Sequence, residues 1–303
     1  SLLGIVTNII NIRVFCRQGV TSDSPTVTFF ALSVSDLLGC IFILPQPLCY
    51  YFEYYTTTQN LFLRNCYTVM FMPATYTHVI LNKITSFVTV YMSVERAICV
   101  IFPLRVQRII KVKNTVVIMV VLYVAITLTY VPYAANVFII WVVDPEHNGT
   151  VKAVNYYTPL GYFFITSNTI FHSMILTSAA MLCVTVATVA MVTRLKASLK
   201  WRQGTVSNVG AVIGTKTKYK QLARSAETVK IVMAITAVYL VCLMFTHIPN
   251  LAIVAIPGVN VNGVNKFLNS ILYIVKFDFD VFNSSIHIFF YVRMSTRYRK
   301  TFL

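Results

Sequence analysis

Several charged side chains of this sequence sit where charge is least expected. Glu95 and Arg96 close a long apolar stretch in SVERAICVIFPLRV, Asp36 stands alone in LSVSDLL, and Lys83 interrupts HVILNKITSF. VKFDFDVF brings Lys276, Asp278 and Asp280 together, and His78, His247 and His287 lie in equally apolar surroundings. Such groups can pair ions, move protons or hold a polar ligand away from water. Their spacing forms no metal-ligand cluster, and no nucleophile elbow accompanies them, so the pattern points to recognition rather than to an enzyme.

The elements that position these groups are read from hydropathy. Of 303 residues, 57% are hydrophobic and 11% charged, whereas a soluble domain carries about a quarter charged residues. Seven apolar runs, at residues 1–16, 26–50, 66–101, 115–135, 162–192, 228–256 and 264–291, are of the order needed to cross about 30 Å of hydrocarbon. The expectation is an all-α, integral membrane bundle of seven transmembrane helices in one domain, 1–303. Residues 292–303 then form a short amphipathic helix on the bilayer surface, with a frayed tail as the alternative. The first run is short and the chain begins inside it, so a further amino-terminal segment is expected upstream.

The net charge of +16 does not point to nucleic acid, because the bases are placed asymmetrically. Arg17, Arg105 to Lys113, Arg194 to Lys230 and Arg293 to Lys300 follow the odd-numbered runs, while the other gaps hold only Arg64, Lys152 and Lys266. That asymmetry predicts an amino end outside and a carboxyl end in the cytosol, in the plasma membrane, with the bases facing anionic lipid. After run four, VFIIWVVDPEHNGTVKAVNYY has two alternating arms around Pro145, Asn148 and Gly149, which predicts a hairpin lid. Asn148-Gly149-Thr150 is also a glycosylation sequon on the predicted outer side.

Asn8 in GIVTNIINI, Asp36 in LSVSDLL, VERAICVIFPL, Pro249 in FTHIPN and Tyr291 in NSSIHIFFY follow one another along the whole chain. In order and spacing they resemble the landmarks of rhodopsin-like (class A) G-protein-coupled receptors. The texture of the first three segments is similar to invertebrate orphan receptors of the peptide or chemosensory type. Ala97 replaces the family's aromatic residue, His247 its tryptophan, and His287 with Ile288 its Asn-Pro pair.

The resemblance implies an extracellular ligand, a peptide or small polar chemosensory cue, and a heterotrimeric G protein as partners. It implies that Glu95 restrains Arg96 until the sixth helix swings outward, with His247, Pro249, His287 and Tyr291 as further switch positions. Arg96, Pro103 and Leu104 would then contact the G protein. The alternative is that Glu95 and Arg96 are interfacial anchors. The place of the family's helix-six acid holds Val229, with Glu227 offset from it.

The same resemblance groups Asn8, Asp36, Thr85, Asn283 and Ser284 as a polar core that holds a sodium ion in many relatives. A protonated or water-bonded Asp36 is the alternative, and no other cofactor is implied. His78, Asn82, Lys83, His247, Asn250, Lys276 and Asp280 become the ligand-binding set. His78 stands where amine receptors carry aspartate, and Val281 where opsins carry the retinal lysine, so neither ligand is expected. Lys276 and Asp280, one turn apart, can pair, and Asp280 is also the expected counter-charge of Lys83. Cys49 and Cys66 lie near the outer face, where a bridge and a free pair both remain open.

A seven-helix channel or transporter lined by Lys83, Asp278 and Asp280 is the rival reading, although the internal repeats of such folds are not visible. If Asp280 acts on ligand or switch, Asp280→Asn abolishes the cellular response while surface expression persists. A normal response in that variant removes the role.

Overall fold

The computed structural model describes residues 1–56, 60–102, 110–144, 150–206, 216–259 and 264–303, with side chains described except at 54, 144, 195–206, 216–226, 253–254 and 266. The first rod is α1, Leu2–Gln18. The second is α2, Ser24–Ile43, continued after a break at Leu44 by α3, Pro45–Tyr55. Two short helices follow, α4 (Leu61–Arg64) and α5 (Cys66–Met70). A π-helical turn, Phe71–Tyr76, then leads into α6, Thr77–Ile101. The fourth rod is α7, Val112–Ala134. The fifth joins α8 (Pro159–Asn168), a second π-helical turn (Thr169–Leu176) and α9 (Thr177–Val206). The last long rods are α10 (Lys216–Ala255) and α11 (Lys266–Met294), followed by the short α12, Thr296–Phe302.

Among the described residues, five segments, Ser24–Glu53, Cys66–Ile101, Val112–Ala134, Pro159–Arg194 and Glu227–Ala252, are long and apolar enough to cross a membrane. The first rod has 17 residues, and α11 carries the charges of VKFDFDVF. The outward faces match that setting, for Val117, Val120, Val121, Val124 and Leu128 of α7 are all exposed. An apolar surface of that extent belongs in lipid. Only structures that satisfy their own backbone groups cross it, and here these are helices. The rods pack in sequence, α1 on α2 and α11, α2 on α6, α6 on α9, and α10 on α11. Leu32, Val88, Val184, Val232 and Ile235 are fully buried.

Local chemistry explains the breaks in the expected runs. Pro45 has no N–H to donate and opens α3 at its first position, where that donor is dispensable. Pro73 lies inside the first π-helical turn, where it interrupts the i→i−4 ladder. The second turn contains no proline, and nothing in its sequence explains its widening. Helix starts are capped in the usual way. Asp23 accepts from Thr26 N at 2.9 Å, Thr158 from Gly161 N at 2.9 Å, and Ser295 from Tyr298 N at 3.1 Å.

The gap after α7 forms a hairpin, β1 (Val137–Asp144) pairing antiparallel with β2 (Thr150–Tyr157), in register from Val137↔Tyr157 to Asp144↔Thr150. Its tip, with the sequon residue Asn148, lies outside the described residues. Asn65 Oδ1 accepts from Ala153 N at 2.7 Å, and Arg64 Nη2 donates to Val151 O at 2.8 Å. Cys49 and Cys66 are joined in a disulfide with Cα atoms 4.8 Å apart. The hairpin is therefore fastened across the end of the bundle formed by α3, α4 and α5.

One glycine governs the close approach of α1. A Cβ on Gly4 would lie 2.5 Å from Cys40 Sγ and 2.8 Å from Ser285 Oγ, whereas one on Gly39 would meet nothing nearer than 3.5 Å. Gly4→Ala is expected to destabilise the bundle by about 1–3 kcal/mol, and Gly39→Ala to be tolerated. Thermal unfolding of the solubilised protein checks both.

Candidate functional site

The end of the bundle opposite the hairpin holds Glu95 and Arg96 in the last turns of α6. Arg96 Nη2 lies 3.0 Å from Glu95 Oε1, with side chains 8% and 1% exposed. Ser24 Oγ, at the start of α2, donates to Glu95 and contacts Thr115 Oγ1 of α7 at 2.7 Å. The pair is enclosed by α2, α6 and α7. Its satisfaction is partial, since Arg96 Nε and Glu95 Oε2 are buried without a hydrogen-bond partner.

Arg96 also lines a cavity of about 240 Å³ with Glu227, Ile231, Tyr291 and Arg297. Glu227 of α10 accepts from the backbone N–H of Thr296 and, at 3.2 Å, from its hydroxyl. Arg297 Nη1 meets Asp23 Oδ2 at 2.7 Å, and Arg297 Nη2 donates to Gln18 O at 2.9 Å. The short α12 is thus tied both to α10 and to the turn between α1 and α2. Tyr291 is buried against Phe15 and Phe29, with ring centroids 5.3 and 5.0 Å away. Tyr298 packs on Tyr291 and donates to Asn11 Oδ1 at 2.6 Å, and burial pushes its phenol above the ordinary value. Pro249 lies buried inside α10, beside the equally buried Asn250. Pro103 and Leu104 lie outside the described residues.

Midway along the bundle, Asp36 is 1% exposed. Thr85 Oγ1 and Ser284 Oγ donate to its Oδ1 at 2.8 and 3.1 Å, and His287 Nδ1 stands 3.0 Å from its Oδ2. Asn8 does not touch the carboxylate. Its Nδ2 donates to Ser284 O and Gly4 O, both at 2.8 Å, and Asn11 Nδ2 donates to Asn8 Oδ1 at 3.4 Å. Asn283 also stays off Asp36, and its Oδ1 is buried without a partner.

This donor set does not fit the expected sodium ion. An alkali cation needs several oxygen acceptors turned towards it. Here the carboxylate already faces two hydroxyl donors and an imidazole nitrogen. The arrangement is that of a carboxylate–imidazole pair.

At the hairpin end, Lys276 Nζ lies 3.1 Å from Asp280 Oδ2, and His78 Nε2 lies 3.8 Å from the same oxygen. His78 Nδ1 stands 2.9 Å from Gly39 O. A carbonyl can only accept, so Nδ1 carries a proton. Lys83 departs from expectation, for Asp280 is engaged by Lys276 while Lys83 Nζ donates to Thr177 Oγ1 at 2.7 Å. The reason is reach: Lys276 shares the helix of Asp280 one turn away, whereas Lys83 points to α9. His247 Nε2 is 3.4 Å from Ser178 Oγ, and its Nδ1 is buried without a partner. Asn82 borders a recess of about 10 Å³ with Ser86, Tyr239 and Asp280, room for about one water. Asp278 is exposed and Asp280 buried, as two residues apart on a helix demands. They do not line one path with Lys83.

Comparison with known proteins adds a family. The sequence model described as "Serpentine type 7TM GPCR chemoreceptor Srw" matches residues 1–303. The chain belongs to the Srw family of serpentine chemoreceptors. No curated protein matches it. This Srw chain is therefore a multi-pass membrane protein of a G-protein-coupled-receptor type, in a family of receptors rather than enzymes. The family name carries the chemosensory half of the resemblance seen in the sequence.

Five features of this Srw receptor were not found from its sequence: Ser24, Asn11, Tyr298, Thr177, and the link from Glu227 to Thr296. Asn11 follows Asn8 by three residues, so helical spacing could have found it. The others are long-range partners with no local signal. If Asp36 is held by hydrogen-bond donors rather than by sodium, exchanging sodium for choline chloride leaves thermal stability unchanged. Asp36→Ala is expected to cost about 3 kcal/mol. Unfolding curves in the two salts check both.

Proposed function

We propose that this chain is a plasma-membrane receptor with its amino end outside, which converts binding of a small polar cue or peptide at the hairpin end into G-protein activation at the basic end. The observation that carries this reading is the enclosed Glu95–Arg96 pair beside a cavity walled by α10. A guanidinium held by its neighbouring carboxylate, with one nitrogen unpartnered, is poised to accept another partner once that wall moves. The class A type of switch is the mechanism we assign to it. A ligand acts by binding one arrangement of α10 more tightly than the other, which shifts the population between them.

The geometry also suggests what holds the resting arrangement. No acid of α10 reaches Arg96 in the described structure; Glu227 instead reaches Thr296, the first residue of α12. Outward movement of α10 must break both bonds. Pro249 gives α10 a flexible point for such a movement, since a mid-helix proline removes one ladder bond.

Agonist-dependent nucleotide exchange on a panel of purified G proteins tests the coupling. Glu227→Ala is expected to raise ligand-independent exchange about 3- to 10-fold, the equivalent of one ordinary exposed hydrogen bond. Thr296→Pro should do the same without unfolding α12, because Ser295 is already extended (φ −106°, ψ 112°) and proline suits a first helical position. The double variant should add nothing further. Absence of exchange with every G protein, under every variant, refutes the proposal.

A further inference from the structure

We propose that Lys83 is the docking point of a small organic carboxylate, held at the junction of α6, α9 and α10 by Lys83, Thr177, Ser178 and His247. This deepens the receptor reading and rests on its assignment of ligand entry to the hairpin end. Lys83 lies about 27 Å along α6 from Ile101, at 1.5 Å per residue. That depth places it in the hairpin half of the hydrocarbon, where a lone ammonium is costly.

Charge balance at this level leaves Lys83 over. Two ammonium groups, Lys83 and Lys276, share one inward carboxylate, Asp280. Lys276 engages that carboxylate directly at 3.1 Å, while His78 Nε2 stands 3.8 Å from it without a hydrogen bond. Lys276 repels Lys83 while Asp280 attracts it. Asp278, the other acid of the helix, is exposed.

Hydrogen bonding leaves the same deficit. An ammonium has three donors, and Thr177 Oγ1 is the one acceptor Lys83 meets among the described residues. The hydroxyl proton of Thr177 goes to His172 O at 2.8 Å. The next residue, Ser178, faces His247 Nε2 at 3.4 Å, and His247 Nδ1 has no partner. The junction offers the Lys83 ammonium one acceptor, with one positive charge in excess of the inward carboxylate. A carboxylate supplies two acceptor oxygens and the missing negative charge. One oxygen takes Lys83 Nζ, and the other goes to Ser178, which follows Thr177 in α9, and to its neighbour His247. One to two turns deeper, Val90, Val184, Tyr239 and Leu243 close the bundle with apolar side chains. The anion is therefore held from one side, and its hydrocarbon part lies towards the hairpin.

The test uses the purified full chain and the sodium salts of acetate, butyrate, hexanoate and benzoate, each against its matched amide. At least one acid is expected to raise the apparent Tm saturably, by about 3–6 °C, with its amide inert. Lys83→Met should abolish that shift and raise the Tm of the ligand-free protein, because methionine matches lysine in length and needs no counter-charge. Thr177→Val should weaken the shift while leaving the charge, so the test does not hang on one variant. Absence of a shift with every acid overturns the proposal. So does an equal shift with amides, or with chloride alone. Nucleotide exchange driven by a neutral compound and indifferent to Lys83→Met, with no acid giving a Tm shift, overturns it while sparing the receptor reading. A carboxylate shift that never produces exchange keeps the site and removes the coupling instead.

Discussion

An ionised side chain taken from water into a protein interior within hydrocarbon costs several kcal/mol unless donors, acceptors or an opposite charge surround it. The cost is local, so it must be met locally. The buried carboxylates Asp36, Asp280 and Glu95 therefore each bear on the relative placement of two or three helices. Asp36 joins α2 to α6 and α11 through Thr85, Ser284 and His287. Asp280 joins α11 to α6 through His78, and Glu95 joins α6 to α2 through Ser24. Dispersion between apolar side chains fills the space between these points. It does not distinguish one helix register from the next as sharply as a carboxylate that must find its donors.

The three points differ in how completely they are satisfied, and the difference bears on motion. Asp36 has three partners, and its environment connects through Ser284 O, Asn8 and Asn11 to Tyr298. A continuous polar path thus runs from the bundle centre to α12. Glu95 and Arg96 each keep an unpartnered atom. Beside Arg96 lies the cavity walled by α10, and the contact at its edge, Glu227 with Thr296, is made at a helix end. Bonds at helix ends can be replaced by water at little cost, whereas those of Asp36 cannot. The rigid element and the releasable one are separated by depth.

Much of the fold was legible because membrane insertion writes itself into composition. The hairpin followed from alternation in VFIIWVV and VKAVNYY, and the pairing of β1 with β2 has that form. The Lys276–Asp280 contact followed from spacing on one helix. Partners on different helices were harder to read. Lys83 was assigned to Asp280 on charge, but the direction of its side chain depends on how α6 is rotated against α9, which no local pattern encodes. Glu227 looked misplaced against the family pattern because its true partner, the backbone N–H of Thr296, has no side-chain signature. The breaks at Leu44 and in the Pro73 turn could be foreseen from proline; the widening at Thr169–Leu176 could not.

Departures from the class A landmarks that the sequence resembles acquire a common physical sense. With Ile288 in place of proline, α11 keeps its backbone ladder from Lys266 to Met294, and a straight ladder resists kinking. His287 occupies the neighbouring place and binds Asp36 directly, so α11 is pinned to α2 where an Asn-Pro pair would leave a yielding turn. Among the described residues, Pro132 near the end of α7 and Pro249 within α10 are the remaining prolines inside long helices. Pro132 lies beneath the hairpin, fastened by Asn136 to Thr158 at 3.0 Å. Pro249 lies above the segment of α10 that reaches Glu227. If one helix moves while its neighbours hold, the sequence leaves α10 as that helix, and the histidine two residues before its proline faces the same junction as Lys83. A ligand that neutralises Lys83 would thus act beside the point at which α10 can bend.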